Sequence, residues 1–135
     1  MNTLFPVNQL LEAAFAPVTN GNTQERTWRD VPRADILEGE KDFVIRMMVP
    51  GIDAANLEIH LENQVLTVKA ERQLEFPEGY RVHRRELPDR VALRRSFDVG
   101  RGIDGDRIGA RLEDGVLTIT LPKSEQHLPR RIEVQ

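Results

Sequence analysis

The chain has 135 residues, 39% of them hydrophobic and 30% charged, with a formal net charge of -3 and no cysteine. That length suits one domain of ordinary size with extra chain at its ends. The charge is too mild to signal a nucleic-acid or membrane partner for the whole molecule, and no disulfide, thiolate nucleophile or Cys-ligated zinc can be built.

A reducing cytoplasm is the expected location for a cysteine-free chain. The N-terminal MNTLFPVNQLLEAAF lacks a basic start and is interrupted by Asn8, Gln9 and Glu12, so it does not read as a signal peptide. Nowhere do eighteen apolar residues run together, and no membrane span is expected. Residues 1–31 read as an arm, partly helical or disordered. Val7, Leu10, Leu11, Ala14 and Phe15 fall at helical spacing before a polar stretch from Asn20 to Arg26.

From Pro32 the period changes. DFVIRMMVPG sets Phe43, Ile45, Met47 and Val49 on one face of a strand ahead of a Pro50-Gly51 turn. In NLEIHLENQVLTVKAER, Leu57, Ile59 and Leu61 alternate with polar residues. Asn63-Gln64 then turns the chain, and Leu66, Val68 and Ala70 alternate again. RIGARLEDGVLTITLPK repeats the design with Ile108, Ala110 and Leu112, an Asp114-Gly115 turn, and Leu117, Ile119 and Leu121 before Pro122. Two hairpins, each with one apolar face, are what an antiparallel two-sheet sandwich needs. The fold class is therefore all-β.

Between the hairpins, Pro77 and Gly79 mark a loop, Tyr80 to Leu87 reads as a short charged strand, and Val91 to Val99 as another. A strand carrying Arg81, Arg84, Arg85 and Glu86 has too little apolar surface for mid-sheet. It is expected at an edge or on a neighbouring subunit. After Lys123 the chain turns polar, then ends in Arg-Arg-Ile-Glu-Val-Gln. Ile132 and Val134 point the same way in extended chain, roughly 7 Å apart. Residues 124–135 thus read as a tail with a two-pronged apolar plug.

Catalytic patterns are weak. Gly100-Arg-Gly102-Ile-Asp-Gly105 satisfies G-x-G-x-x-G, but a strand and hairpin follow it where a dinucleotide site requires a helix. His60, His83 and His127 show no paired ligand spacing, and Ser96 and Ser124, the only serines, sit outside any nucleophile motif. No enzyme activity, metal or cofactor is expected. The arginines from Arg81 to Arg111 are interleaved with acids, which favours ion pairing between subunits over nucleic-acid binding.

Taken together, Pro32-Arg-Ala-Asp35-Ile36, Val49-Pro50-Gly51-Ile52, Leu66-Thr-Val, Arg94-Arg95-Ser96-Phe97, the A-x-x-x-D-G-V-L string from Ala110 to Leu117, and Ile132-Glu-Val134 resemble the small heat shock protein family. The resemblance covers roughly residues 32–134. It implies an immunoglobulin-like β-sandwich, the α-crystallin domain, over residues 32–123, and an ATP-independent holdase that keeps unfolding client proteins from aggregating. It further implies homodimers by strand exchange through Tyr80, Arg84 and Glu86 with Arg95, and larger homo-oligomers built by Ile132 and Val134 docking in a groove of Ile59, Leu61, Gly109 and Ala110. Clients would be met by Leu4, Phe5, Leu10, Leu11 and Phe15. Gly100 stands where the family usually has proline. The alternative is a monomeric co-chaperone or interaction module on the same sandwich.

Overall fold

A computed structural model of the chain describes residues 27–127 and 131–134. The arm residues Leu4, Phe5, Leu10, Leu11 and Phe15, and the expected arm helix, lie outside the described residues. Among the described residues there are eight strands: β1 (Thr27–Asp30), β2 (Ala34–Glu38), β3 (Asp42–Met48), β4 (Leu57–Glu62), β5 (Val65–Gln73), β6 (Arg90–Asp98), β7 (Gly109–Glu113) and β8 (Val116–Pro122). The helical elements among the described residues are three-residue 3-10 turns at Ala54–Asn56, Gly105–Arg107 and Glu125–His127.

The strands form two four-stranded sheets, ordered β1-β6-β5-β4 and β2-β3-β8-β7. Each hairpin belongs to a different sheet, which is why the sequence writes the pattern twice. In the first sheet β4 pairs antiparallel with β5, setting Leu57 opposite Ala70, Ile59 opposite Val68 and Leu61 opposite Leu66. In the second, β7 pairs with β8, setting Ala110 opposite Ile119 and Leu112 opposite Leu117. Both reversals are tight turns with left-handed backbone, at Asn63 (φ 50) and Gln64 (φ 68) and at Asp114 (φ 52) and Gly115 (φ 73). Positive φ at both central residues matches the twist of the flanking strands.

The core comes from the central strands. Ile45 and Met47 of β3, Leu66, Val68 and Ala70 of β5, Leu93 and Phe97 of β6, and Leu117, Ile119 and Leu121 of β8 are all buried. Each fully buried aliphatic of this kind contributes about 1.5–3 kcal/mol. No polar or charged residue is buried among the described residues. Gly51 (φ +73) allows the turn after β3, and a Cβ there would lie 2.8 Å from Arg72 Nη1, which itself donates to the Pro50 carbonyl.

Three features differ from the sequence reading. The sheets begin at Thr27, ahead of Pro32, because β1 joins the first sheet beside β6. β2 is a full strand, its Ala34–Glu38 in antiparallel register with Met47 back to Phe43 of β3, where the sequence suggested only an entry segment. Residues 80–87, expected as a strand, contain none. A strand exists only by pairing its backbone with another, and no ladder among the described residues includes this segment.

The described residues divide into two compact units, 27–28 with 73–91, and 29–72 with 92–127 and 131–134. In the first, the loop is closed by Leu74 N–H donating to the Asp89 carbonyl at 2.8 Å, and Tyr80 N–H donates to the Pro77 carbonyl across a turn. Arg85 pairs with Asp89 and stacks over Phe76 at 4.6 Å, while Arg84 pairs with Glu86. Arg84, Arg85, Glu86 and Asp89 are thus matched within the loop.

Candidate interaction surfaces

Two edge strands carry the residues expected to form the docking groove. β4 and β7 each end a sheet, so one side of each backbone has no ladder partner there. Ile59 is half-buried, Leu61 is 39% exposed, and Gly109 and Ala110 are exposed. The two edges share a flank: a Cβ added at Gly105, in the turn leading to β7, would come within 2.9 Å of Leu61 Cδ2 on β4. A Cβ added at Gly109 would meet nothing within 4 Å, which leaves open space along β7. Apolar side chains beside an unpaired backbone edge are what an added extended segment requires.

The tail departs from a firmly tied point. Lys123 N–H donates to the Lys41 carbonyl and Ser124 N–H to the Gly102 carbonyl, both at 2.8 Å. The Lys123 ammonium donates to Glu38 Oε1 and to the Gly39 carbonyl at 2.9 Å and lies over the Phe43 ring. Farther on, residues 131–134 have no regular structure, and Ile132 and Val134 are 86% and 96% exposed. Two aliphatic side chains in that state retain the whole free energy that burial would release.

The expected dimer residues fall in both units. Tyr80, 77% exposed, belongs to the loop unit together with the Arg84–Glu86 pair. Arg95 belongs to the sandwich unit, on β6, where its Nη1 donates to the Pro32 carbonyl at 2.8 Å and its guanidinium lies 5.0 Å over the Phe97 ring. Arg95 is therefore engaged within the protomer, holding the entry to β2.

The G-x-G-x-x-G string is a strand connection. Ile103 makes a single bridge to Lys123, and Gly105–Arg107 forms one 3-10 turn before β7. Gly100, at the corner after β6, has φ +68 and donates its N–H to Asp98 Oδ1 at 3.0 Å. Proline can supply neither.

Sequence reasoning missed an apolar cleft of about 430 Å³ at the other end of the second sheet, lined by Ile36, Phe43, Phe97, Val99, Ile103 and Leu121 among others. These residues lie far apart in the chain. The nearest signal was the adjacent pair Ile36 and Leu37, which places an aliphatic on each face of β2.

Residues 35–135 match the model of the Hsp20/alpha crystallin family. The chain belongs to that family. Among curated relatives, small heat shock protein C2 of Rickettsia felis is 32% identical over 105 residues, covering 78% of this chain and 68% of its own. The 18 kDa antigen 2 of Mycobacterium avium is 39% identical over 92 residues, covering 68% of this chain and 65% of its own. Among solved structures, a small heat-shock protein from Xylella fastidiosa is 35% identical, with a TM-score of 0.58 over 78% of this chain and 97% of that one. Heat shock protein 16.0 from Schizosaccharomyces pombe is 27% identical, with a TM-score of 0.60 over 78% of this chain and 99% of that one. These likenesses agree with the two-sheet sandwich read from the hairpins, and the α-crystallin fold that the resemblance implied is the one this chain has.

Proposed function

We propose that this small heat shock protein is a cytoplasmic, ATP-independent holdase that assembles through its sandwich edges and tail and covers the exposed apolar surface of unfolding proteins. The observation that carries the reading is the near-complete exposure of Ile132 and Val134, in a chain whose β4 and β7 edges leave apolar residues half open. Burying both tail residues yields on the order of 3–6 kcal/mol before ordering costs, against about 4 kcal/mol for a millimolar contact. Each plug is weak alone and reversible. Several in one assembly hold through effective concentration, so subunits exchange while the assembly persists. The groove of Ile59, Leu61, Gly109 and Ala110 receives the tail of another molecule, and the 80–87 segment finds its ladder on a second copy with Arg95 supporting that interface.

Client capture rests on Leu4, Phe5, Leu10, Leu11 and Phe15 together with grooves that tails vacate. Such contacts need adaptability more than shape, since unfolding clients share only exposed apolar surface. No helix among the described residues is long and apolar enough to cross a membrane. The test is light scattering of a heat-labile enzyme with equimolar protein and no nucleotide. Suppressed aggregation is expected, reduced in a variant lacking residues 1–18, whereas unaltered aggregation with the full chain contradicts the holdase reading.

A further inference from the structure

The outer face of the first sheet is used by neither the tail nor the 80–87 segment in the assembly proposed above. Burial of Leu66, Val68 and Ala70 turns Lys69 of β5 outward, and burial of Leu93 and Phe97 turns Arg94 of β6 outward. Two contacts fix how these strands align: Val99 N–H donates to the Gln64 carbonyl at 2.9 Å, and Thr67 Oγ1 lies 3.1 Å from Ser96 Oγ. An antiparallel pair held at both points sets Lys69 opposite Arg94 and Glu71 opposite Ala92. β1 lies on the other side of β6 and brings Arg29 to the same place. Arg29, Lys69 and Arg94, with Asp30, Glu71 and Ala92, line an open depression of about 650 Å³.

Like charges directly opposite on neighbouring strands destabilise a sheet. Among the described residues, no ion pair joins Arg29, Lys69 or Arg94 to an acid. Glu58 stands opposite Lys69 on the β4 side, but its carboxylate lies 3.5 Å from His60 Nε2. Asp30 follows Arg29 directly, and its Oδ1 accepts the Val31 N–H at 2.8 Å. Glu71 is one row farther along, opposite Ala92. The cations therefore form a row of their own, at a cost to the sheet that nothing within the row offsets.

We infer that this row is a binding site for a short linear polyphosphate. Chemistry selects the ligand class, since guanidinium forks match phosphate oxygens bidentately and the Lys69 ammonium adds a point charge. Reach selects a chain. Cations on three successive strands span about 10 Å, so one orthophosphate cannot touch all three whereas three linked phosphates can. The lining selects against a nucleotide or an RNA, because no aromatic side chain borders the depression to stack on a base. The site binds its ligand and breaks none of its bonds.

The whole chain is titrated with sodium tripolyphosphate, pyrophosphate and orthophosphate by isothermal titration calorimetry. Affinity rises from orthophosphate to tripolyphosphate and falls as salt is added. Arg94→Gln and Lys69→Gln each weaken tripolyphosphate roughly tenfold, whereas Arg46→Gln, an equal change of net charge on the second sheet, leaves it within about twofold. Equal affinities for orthophosphate and tripolyphosphate, or an equal loss in Arg46→Gln, overturn the site. ATP or a single-stranded oligouridylate that binds more tightly than tripolyphosphate, and weakens in Arg94→Gln, overturns the assignment to a free phosphate chain. A second measurement reads the repulsion itself. Arg94→Gln raises the denaturant midpoint of the unliganded protein at low salt and removes the rise that tripolyphosphate gives the wild type. A lower midpoint in the unliganded variant would show that Arg94 is already satisfied within the sheet, and contradicts the site.

Discussion

Leu117, Ile119 and Leu121 in β8 and Ile132 and Val134 in the tail carry the same alternating aliphatic pattern about a dozen residues apart. The protomer buries the first set to 1% exposure or less and leaves the second at 86% and 96%. Neither residue type nor spacing explains the difference. β8 has β3 on one side and β7 on the other, so its backbone is satisfied on both edges and its apolar row meets the facing sheet. The tail has the same side chains and no ladder. Burial in this chain follows the availability of a backbone partner, and the open edges of β2, β4 and β7 are the complementary half of that deficit.

The comparison breaks most sharply at Ile119. Replacing it with alanine leaves a cavity at the centre of the second sheet and lowers unfolding free energy by about 2–5 kcal/mol, read as a fall in denaturant midpoint. A change below about 1 kcal/mol would mean that β8 is not the completed strand described above. Gly100→Pro probes the corner between β6 and β7, where the left-handed backbone and the N–H to Asp98 are both incompatible with proline. A loss on the order of 1–3 kcal/mol is expected by the same denaturation measurement, and an unchanged midpoint would show that neither feature holds the corner. The tail sits at the other extreme, where truncating Ile132 and Val134 leaves the denaturant midpoint of the sandwich within about 0.5 kcal/mol, as for exposed positions generally.

The hairpins were legible because they state themselves locally. Period-two alternation, Asn63-Gln64 and Asp114-Gly115 fix strand, turn and face within seventeen residues. β2 was not legible, since Asp-Ile-Leu-Glu alternates nothing and becomes a strand only by pairing with β3. β1 is four exposed residues whose pattern says little, and its pairing decides it. The 80–87 segment shows the converse: β-like composition read correctly as unfit for the interior, but unable to form a strand without a ladder. The tail and the β4/β7 flank were named from sequence, whereas the β2 cleft was not, because Ile36, Phe97 and Ile103 meet only through the stacking of two sheets.

Native mass spectrometry of the wild-type chain beside the Ile132→Ala, Val134→Ala double variant tests the central claim most directly. Assemblies larger than a dimer in the wild type, reduced to dimers in the variant with the sandwich still folded, are the predicted result. An identical mass for the two proteins would contradict it.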